Sequence, residues 1–151
     1  MSGTLLGIDL GERRVGLAIA DADGLSARPL TTIARGADLD ADAASLGQIV
    51  AANGVVELVV GLPLNANGDR GPMAVAAEAW AAGIAARLGL AVSLRDERLS
   101  SHVAEGRLGP MPRGRSGGPP SRSQRERYRA RVDREAATVI LQDELEARRA
   151  R

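Results

Sequence analysis

Residues 4–21 read T-L-L-G-I-D-L-G-E-R-R-V-G-L-A-I-A-D. Two short apolar runs, Leu5–Gly11 and Val15–Asp21, are joined by Gly11-Glu12-Arg13-Arg14, which reads as a β-hairpin closed by a glycine-containing turn. One residue does not suit the first run. Asp9 lies inside it, although aspartate is depleted in strands and an unpaired buried carboxylate is costly. Either Asp9 begins the turn and caps a backbone amide, or a site formed elsewhere in the fold needs its carboxylate. By contrast, A-D-A-D-G at 20–24 reads as a plain turn.

Working outward, Pro29–Ala34 supplies a third strand, and Asp38–Ala52 is helical, with acids at its start and Asn53-Gly54 as its stop. Val55–Gly61 (V-V-E-L-V-V-G) is a fourth strand whose unbroken apolar character predicts burial on both faces. The turn-rich stretch Leu62–Gly68 follows it. Pro72 opens a second helix that runs to Leu88 and stops at Gly89. Leu90–Arg95 is a fifth strand, followed by Asp96-Glu97-Arg98 and a third helix over Ser100–Leu108. Residues 109–131 show neither period and are rich in Gly, Pro, Ser and Arg, so a flexible loop is expected there. Asp133–Arg148 closes the chain as an amphipathic helix, with Ala137, Ile140, Leu141 and Leu145 on one side. A meander of three strands followed by helix–strand, helix–strand and helices predicts one α/β domain. Its five-stranded mixed sheet has helices on both faces, the layout of an RNase H-like fold.

Composition narrows the chemistry. The chain has 151 residues, 44% hydrophobic and 26% charged, enough for one domain with a real core. It has no cysteine and a single histidine, His102, so thiol nucleophiles, zinc–thiolate sites and iron–sulfur clusters are excluded, as is a multi-histidine metal site within one chain. Any metal must sit on oxygen ligands, which favours Mg2+ or Mn2+. No apolar run approaches the ~20 residues of a spanning helix, and the N-terminal M-S-G-T-L-L-G-I-D-L-G has no basic region before a signal-like segment. The expected location is the cytoplasm.

The net charge of +1 conceals an uneven distribution. Residues 1–97 carry 7 Arg against 12 acids, whereas 98–134 carry 10 Arg against 3 acids. All 20 basic residues are arginine. A GC-rich genome accounts for the absence of lysine but not for the clustering, and guanidinium groups suit bidentate phosphate contacts. Arg125, Arg127 and Arg129 lie in this basic block, as expected contacts to nucleic acid; the competing reading is a solubilising loop. With one Tyr and one Trp, base stacking cannot dominate, so backbone and shape recognition with strong salt dependence is expected. His102, Trp80 and Tyr128 read as surface or packing residues.

Three carboxylates are candidates for chemistry. Asp9 lies on the first strand, Glu97 follows the fifth, and Asp133 opens the last helix on the face of Ala137 and Ile140. Each has an ordinary alternative: a turn cap for Asp9, a solvated charge run for Glu97, a helix N-cap for Asp133. The fold brings them together. Three converging carboxylates repel one another unless a divalent cation relieves the penalty, and such ions can drive phosphodiester hydrolysis without histidine or cysteine.

Four motifs carry a resemblance over nearly the whole chain, in order. They are G-I-D-L-G at 7–11 with R-R-V-G-L-A-I-A-D through Asp21, V-G-L-P-L-N-A-N-G at 60–68, D-E-R-L-S-S at 96–101, and V-D-R-E-A-A-T-V-I-L-Q at 132–142. Together they resemble the YqgF (RuvX-type) family of bacterial RNase H-like nucleases. The resemblance implies a cytoplasmic nuclease that processes the 5′ end of pre-16S rRNA, or, by older assignment, a Holliday junction resolvase. It places the catalytic, metal-binding acids at Asp9, Glu97 and Asp133. It also points to Asn65, Gly68, Arg98 and Ser100 as substrate-facing, and Arg14 in the first motif joins the expected nucleic-acid contacts. The long stretch 111–131 departs from the family pattern. A junction resolvase would work as a homodimer making paired nicks. Two other classes compete: a non-catalytic nucleic-acid-binding factor, and an actin-like ATPase. The latter needs two such domains, and 151 residues supply one.

Overall fold

A computed structural model describes residues 3–21, 23, 26–97 and 100–151. Five strands, β1 (Thr4–Leu10), β2 (Arg14–Ala20), β3 (Ala27–Ala34), β4 (Val55–Leu62) and β5 (Ala91–Asp96), form one sheet in the order β3-β2-β1-β4-β5. β1–β2 and β2–β3 pair antiparallel, and β1–β4 and β4–β5 pair parallel. The expected mixed sheet and its RNase H-like layout are therefore present. The hairpin turn is closed by the Gly11 amide donating to the Arg14 carbonyl at 2.9 Å.

Helices cover both faces. α1 (Leu39–Asn53) starts where the Asp38 carboxylate accepts from the Ala41 amide at 2.8 Å and ends at Gly54, φ 65°. α2 (Pro72–Leu88) has proline in its first turn and ends at Gly89 in the same left-handed conformation. These two helices cover one face of the sheet, where Leu6, Ile8, Val15, Leu17, Leu58 and Val60 meet Leu46, Trp80 and Ile84. Each such buried aliphatic side chain contributes roughly 1.5–3 kcal/mol. Trp80 is a packing residue, as expected, with its indole N–H donating to the buried Asp42 carboxylate at 3.0 Å.

The opposite face is different in kind. Because side chains alternate along a strand, Leu5, Gly7 and Asp9 point away from Leu6 and Ile8, toward α4 (Arg122–Arg149). α3 (Ser100–Leu108) packs on α4 through Ala104, Val132 and Ala136, with Leu108 and Tyr128 alongside. Tyr128 also donates its hydroxyl to the Gly109 carbonyl at 2.7 Å, so it too is a packing residue.

The last helix is longer than the sequence reading expects. It begins at Arg122, not Asp133, so the irregular segment ends at residue 121 rather than 131. The reason is local: the Ser121 hydroxyl accepts from the Gln124 amide at 3.1 Å while the Gln124 side chain accepts from the Ser121 amide at 2.7 Å, a capping box. Asp133 is therefore an interior residue and not an N-cap. Ahead of the helix, the Gly114 amide donates to the Gly118 carbonyl at 3.0 Å in a turn.

α4 lies unusually close to the sheet. A Cβ at Gly16 would stand 2.0 Å from the Asp133 carbonyl oxygen, and one at Gly7 would stand 2.9 Å from that of Ala137. Glycine in a strand marks such a close backbone approach. We expect Gly16→Ala to cost about 3 kcal/mol in urea unfolding, because neither backbone can yield locally. Gly118→Ala, where a Cβ meets nothing within 4 Å, should change stability by no more than about 0.5 kcal/mol.

Candidate active site

Asp9 is the last α4-facing position of β1 and pairs in register with Gly16 of β2. Parallel to it, β4 ends at Gly61 and Leu62, whose register partners on β5 are Arg95 and Asp96. Glu97 follows directly, its amide donating to the Leu62 carbonyl at 3.1 Å. Alternation along the extended segment sends Glu97 inward and Asp96 toward the exposed side. The Glu97 carboxyl lies over Gly61, where a Cβ would come within 2.8 Å of its Oε2. A missing side chain on β4 thus makes room for an acid delivered from the end of β5.

Asp9 and Glu97 share a hydrogen bond. Burial pushes the Glu97 carboxyl up to about 10, helped by the hydrogen bond to Asp9 and the charges of Asp9 and Asp96, and opposed by Ser100. Asp9 is also raised, first by burial; the bond from Glu97 pulls it down and the charge of Asp133 pushes it up. Among the described residues no arginine pairs with either group. Two hard oxygen donors hydrogen-bonded to one another in a half-buried position are a donor pair suited to a divalent cation.

Asp133 stands apart from this pair. Its carboxylate accepts from Arg14 Nε at 2.5 Å, at the first residue of β2. Among the described residues no three His, Cys, Asp or Glu side chains are gathered to hold a metal ion. The expected trio is thus arranged as two plus one.

The remaining expected contacts divide. Ser100 is buried; its hydroxyl donates to the Glu97 carbonyl at 2.9 Å, so it positions Glu97. Asn65 and Gly68 build a turn: the Gly68 amide donates to the Asn65 carbonyl at 2.8 Å, and Gly68 takes φ 92°. The Asn65 side chain lies against Gly71. Arg98 lies outside the described residues. Arg125 donates to the Pro120 carbonyl at 2.6 Å, while Arg127 and Arg129 are exposed. Arg125 and Arg129 precede Asp133 by two turns and one turn on the same helical ridge; Arg127 falls on another. His102 is an exposed residue of α3.

A cleft of about 590 Å³ opens beside Glu97, lined by Leu64, Ala66, Asp96, Ser100, Val103, Val139 and Asp143. Asp143 and Val103 carry no sequence signal, because nothing in their neighbourhood marks them as cleft-facing. Gly61 and Gly16 do carry one, as glycines inside strands that otherwise favour β-branched residues.

The fold and a buried carboxyl pair at the carboxyl ends of parallel strands define an RNase H-like protein. The sequence model of RuvX, described as Holliday junction resolvase, matches residues 3–147. An Anaeromyxobacter dehalogenans protein, named as a candidate pre-16S rRNA nuclease, is 44% identical over 143 residues, covering 95% of this chain and 96% of that one. A Chloroflexus aggregans protein of the same name is 41% identical over 146 residues, covering 97% and 95%. Thermus thermophilus RuvC, solved with a Holliday junction substrate, shares the fold with a TM-score of 0.54 at 16% identity, covering 97% of this chain and 96% of that one. The chain belongs to the RuvX family of nucleases.

The raised Glu97 carboxyl fixes the sign of a pH effect. A carboxyl whose pKa is raised by folding holds its proton more tightly in the folded state, so it contributes stability below its unfolded value of 4.5 that is lost as pH rises toward 10. In EDTA, urea unfolding should show stability falling between pH 5 and 9 by up to about 1 kcal/mol per pH unit. Glu97→Gln should flatten that slope.

Proposed function

We propose that this protein is a divalent-metal-dependent nuclease of the cytoplasm that hydrolyses phosphodiester bonds in precursor 16S rRNA, near its 5′ end. The observation that carries the reading is the Asp9–Glu97 carboxyl pair, half-buried and hydrogen-bonded to one another at the strand ends. The near-full-length relatives named for that substrate supply its class.

Asp9 and Glu97 would hold Mg2+ or Mn2+ through oxygen, with Asp133 as the third acid. When bound, such an ion supplies an activated water and neutralises charge at the scissile phosphate. The chain's own contribution is positional. β1 and the β5 end set the two carboxyls side by side, Gly61 leaves them room, and Ser100 fixes the turn that carries Glu97. The arginines of α4 hold the phosphate backbone, with Arg129 and Arg125 in line with Asp133 along the ridge.

A second reading, resolution of branched DNA, is favoured by the family description and requires a homodimer with two sites. Cleavage mapping on precursor rRNA and on a four-way junction, side by side, separates the two. A monomer that cuts RNA supports the first, and paired nicks by a dimer support the second. Tight binding without metal-dependent cleavage of either substrate would leave only a non-catalytic binding factor.

Asp9→Asn should abolish cleavage while circular dichroism and substrate affinity stay near wild type; full cleavage by a contaminant-free preparation would defeat the catalytic assignment. Changing Arg125, Arg127 and Arg129 together to alanine should weaken binding in fluorescence anisotropy. It should also lower the slope of log affinity against log salt by about 2, as three phosphate contacts are lost.

A further inference from the structure

Arg14 Nε pairs with the Asp133 carboxylate at 2.5 Å at the edge of the site, whereas among the described residues no arginine pairs with Asp9 or Glu97. Asp133 is near enough for its charge to be felt at Asp9. It therefore lies between a cation it already has and a carboxyl pair that lacks one.

Two features decide which part of this arrangement can move. The backbone at Asp133 cannot, because its carbonyl rests on Gly16 where not even a methyl group would fit. One residue pair further along, the Thr32 hydroxyl donates to the Ala130 carbonyl at 2.5 Å and Arg134 reaches Thr32 at 3.5 Å, holding the same turns of α4 to β3. The side chain of Asp133 can move, since among the described residues it is held only by Arg14, and both side chains retain partial exposure, 32% for Arg14 and 21% for Asp133. Arg14 uses only Nε in that bond, and among the described residues its two terminal nitrogens make no hydrogen bond. A guanidinium with free terminal donors, open to solvent beside the site, is suited to a phosphate oxygen.

We propose that Arg14 is a latch: it holds the Asp133 carboxylate away from Asp9 and Glu97 until a backbone phosphate replaces that carboxylate on the guanidinium, whereupon Asp133 turns to complete the cation site. The exchange swaps one anion for another on Arg14, so it leaves no charge stranded. It makes the third acid available only when nucleic acid is present. Arg14 is thus a positioning residue acting through Asp133, and the inference rests on the metal-dependent reading above.

The test is a double-mutant cycle read by binding, without turnover. Metal-free protein is titrated calorimetrically with MnCl2 alone. Arg14→Gln releases Asp133 and should tighten Mn2+ binding about tenfold. Arg13→Gln removes the same charge from the adjacent exposed residue and should do far less. In an Asp133→Asn background, Arg14→Gln should bring no gain. Conversely, in EDTA, Asp133→Asn should tighten binding of a fluorescein-labelled RNA hairpin severalfold, and this gain should vanish when Arg14→Gln is added.

An equal gain from Arg13→Gln, or one that persists without Asp133, overturns the latch and leaves the metal site standing. Protein that takes up no Mn2+ either as wild type or as Arg14→Gln overturns the metal-dependent reading and the latch with it. If Arg14→Gln does not fold, Arg14→Lys serves: it keeps the charge but has no Nε, and should show the same gain in smaller measure.

Discussion

The site depends on one contact, the backbone of α4 resting on glycines of the sheet. Gly7 and Gly16 lie under the Ala137 and Asp133 carbonyls. Side chains at these positions would lift the helix and carry Asp133 away from Asp9. The opposite face makes the comparison plain: there the sheet offers Leu6, Ile8, Leu17 and Val60, and α1 and α2 are separated from it by a full aliphatic layer. One face of the sheet is built for stability through apolar area, and the other for proximity between backbones.

Proximity has an electrostatic consequence. Asp9 is held under a helix and beside a second carboxyl, so folding concentrates negative charge where water is partly excluded. The structure accommodates this in two ways: a hydrogen bond between Asp9 and Glu97, and an arginine on Asp133. Neither device is needed by a carboxylate that merely caps a turn. Elsewhere acids are placed conventionally. Asp38 caps α1, and Glu57, at the far end of β4, pairs with Arg148, itself bonded to Glu144 at 2.7 Å.

Much of this was legible in the residues. The alternation of Leu5–Asp9 gives a strand with one misplaced acid, and the glycine and proline stops at Gly54, Pro72 and Gly89 bound α1 and α2 where hydrogen bonding also bounds them. The start of α4 was legible too, in Ser121 and Gln124, but the polar, arginine-rich first turns lack the apolar period by which helices are usually recognised. Those turns project beyond the sheet with no core to face, so their pattern records solvent and not burial.

By itself, then, the sequence determined the order of strands and helices, the exclusion of soft metal ligands and thiol chemistry, and the choice of three candidate acids. These follow from periodicity and composition, which are properties of the chain taken locally. Only the tertiary structure decided that Glu97 occupies the space vacated at Gly61, that it hydrogen-bonds Asp9, and that Asp133 faces Arg14. Each of these joins residues from different elements, between 36 and 119 positions apart for Gly61–Glu97 and Arg14–Asp133. Such pairings are set by how closely backbones can approach, and no local period encodes that distance.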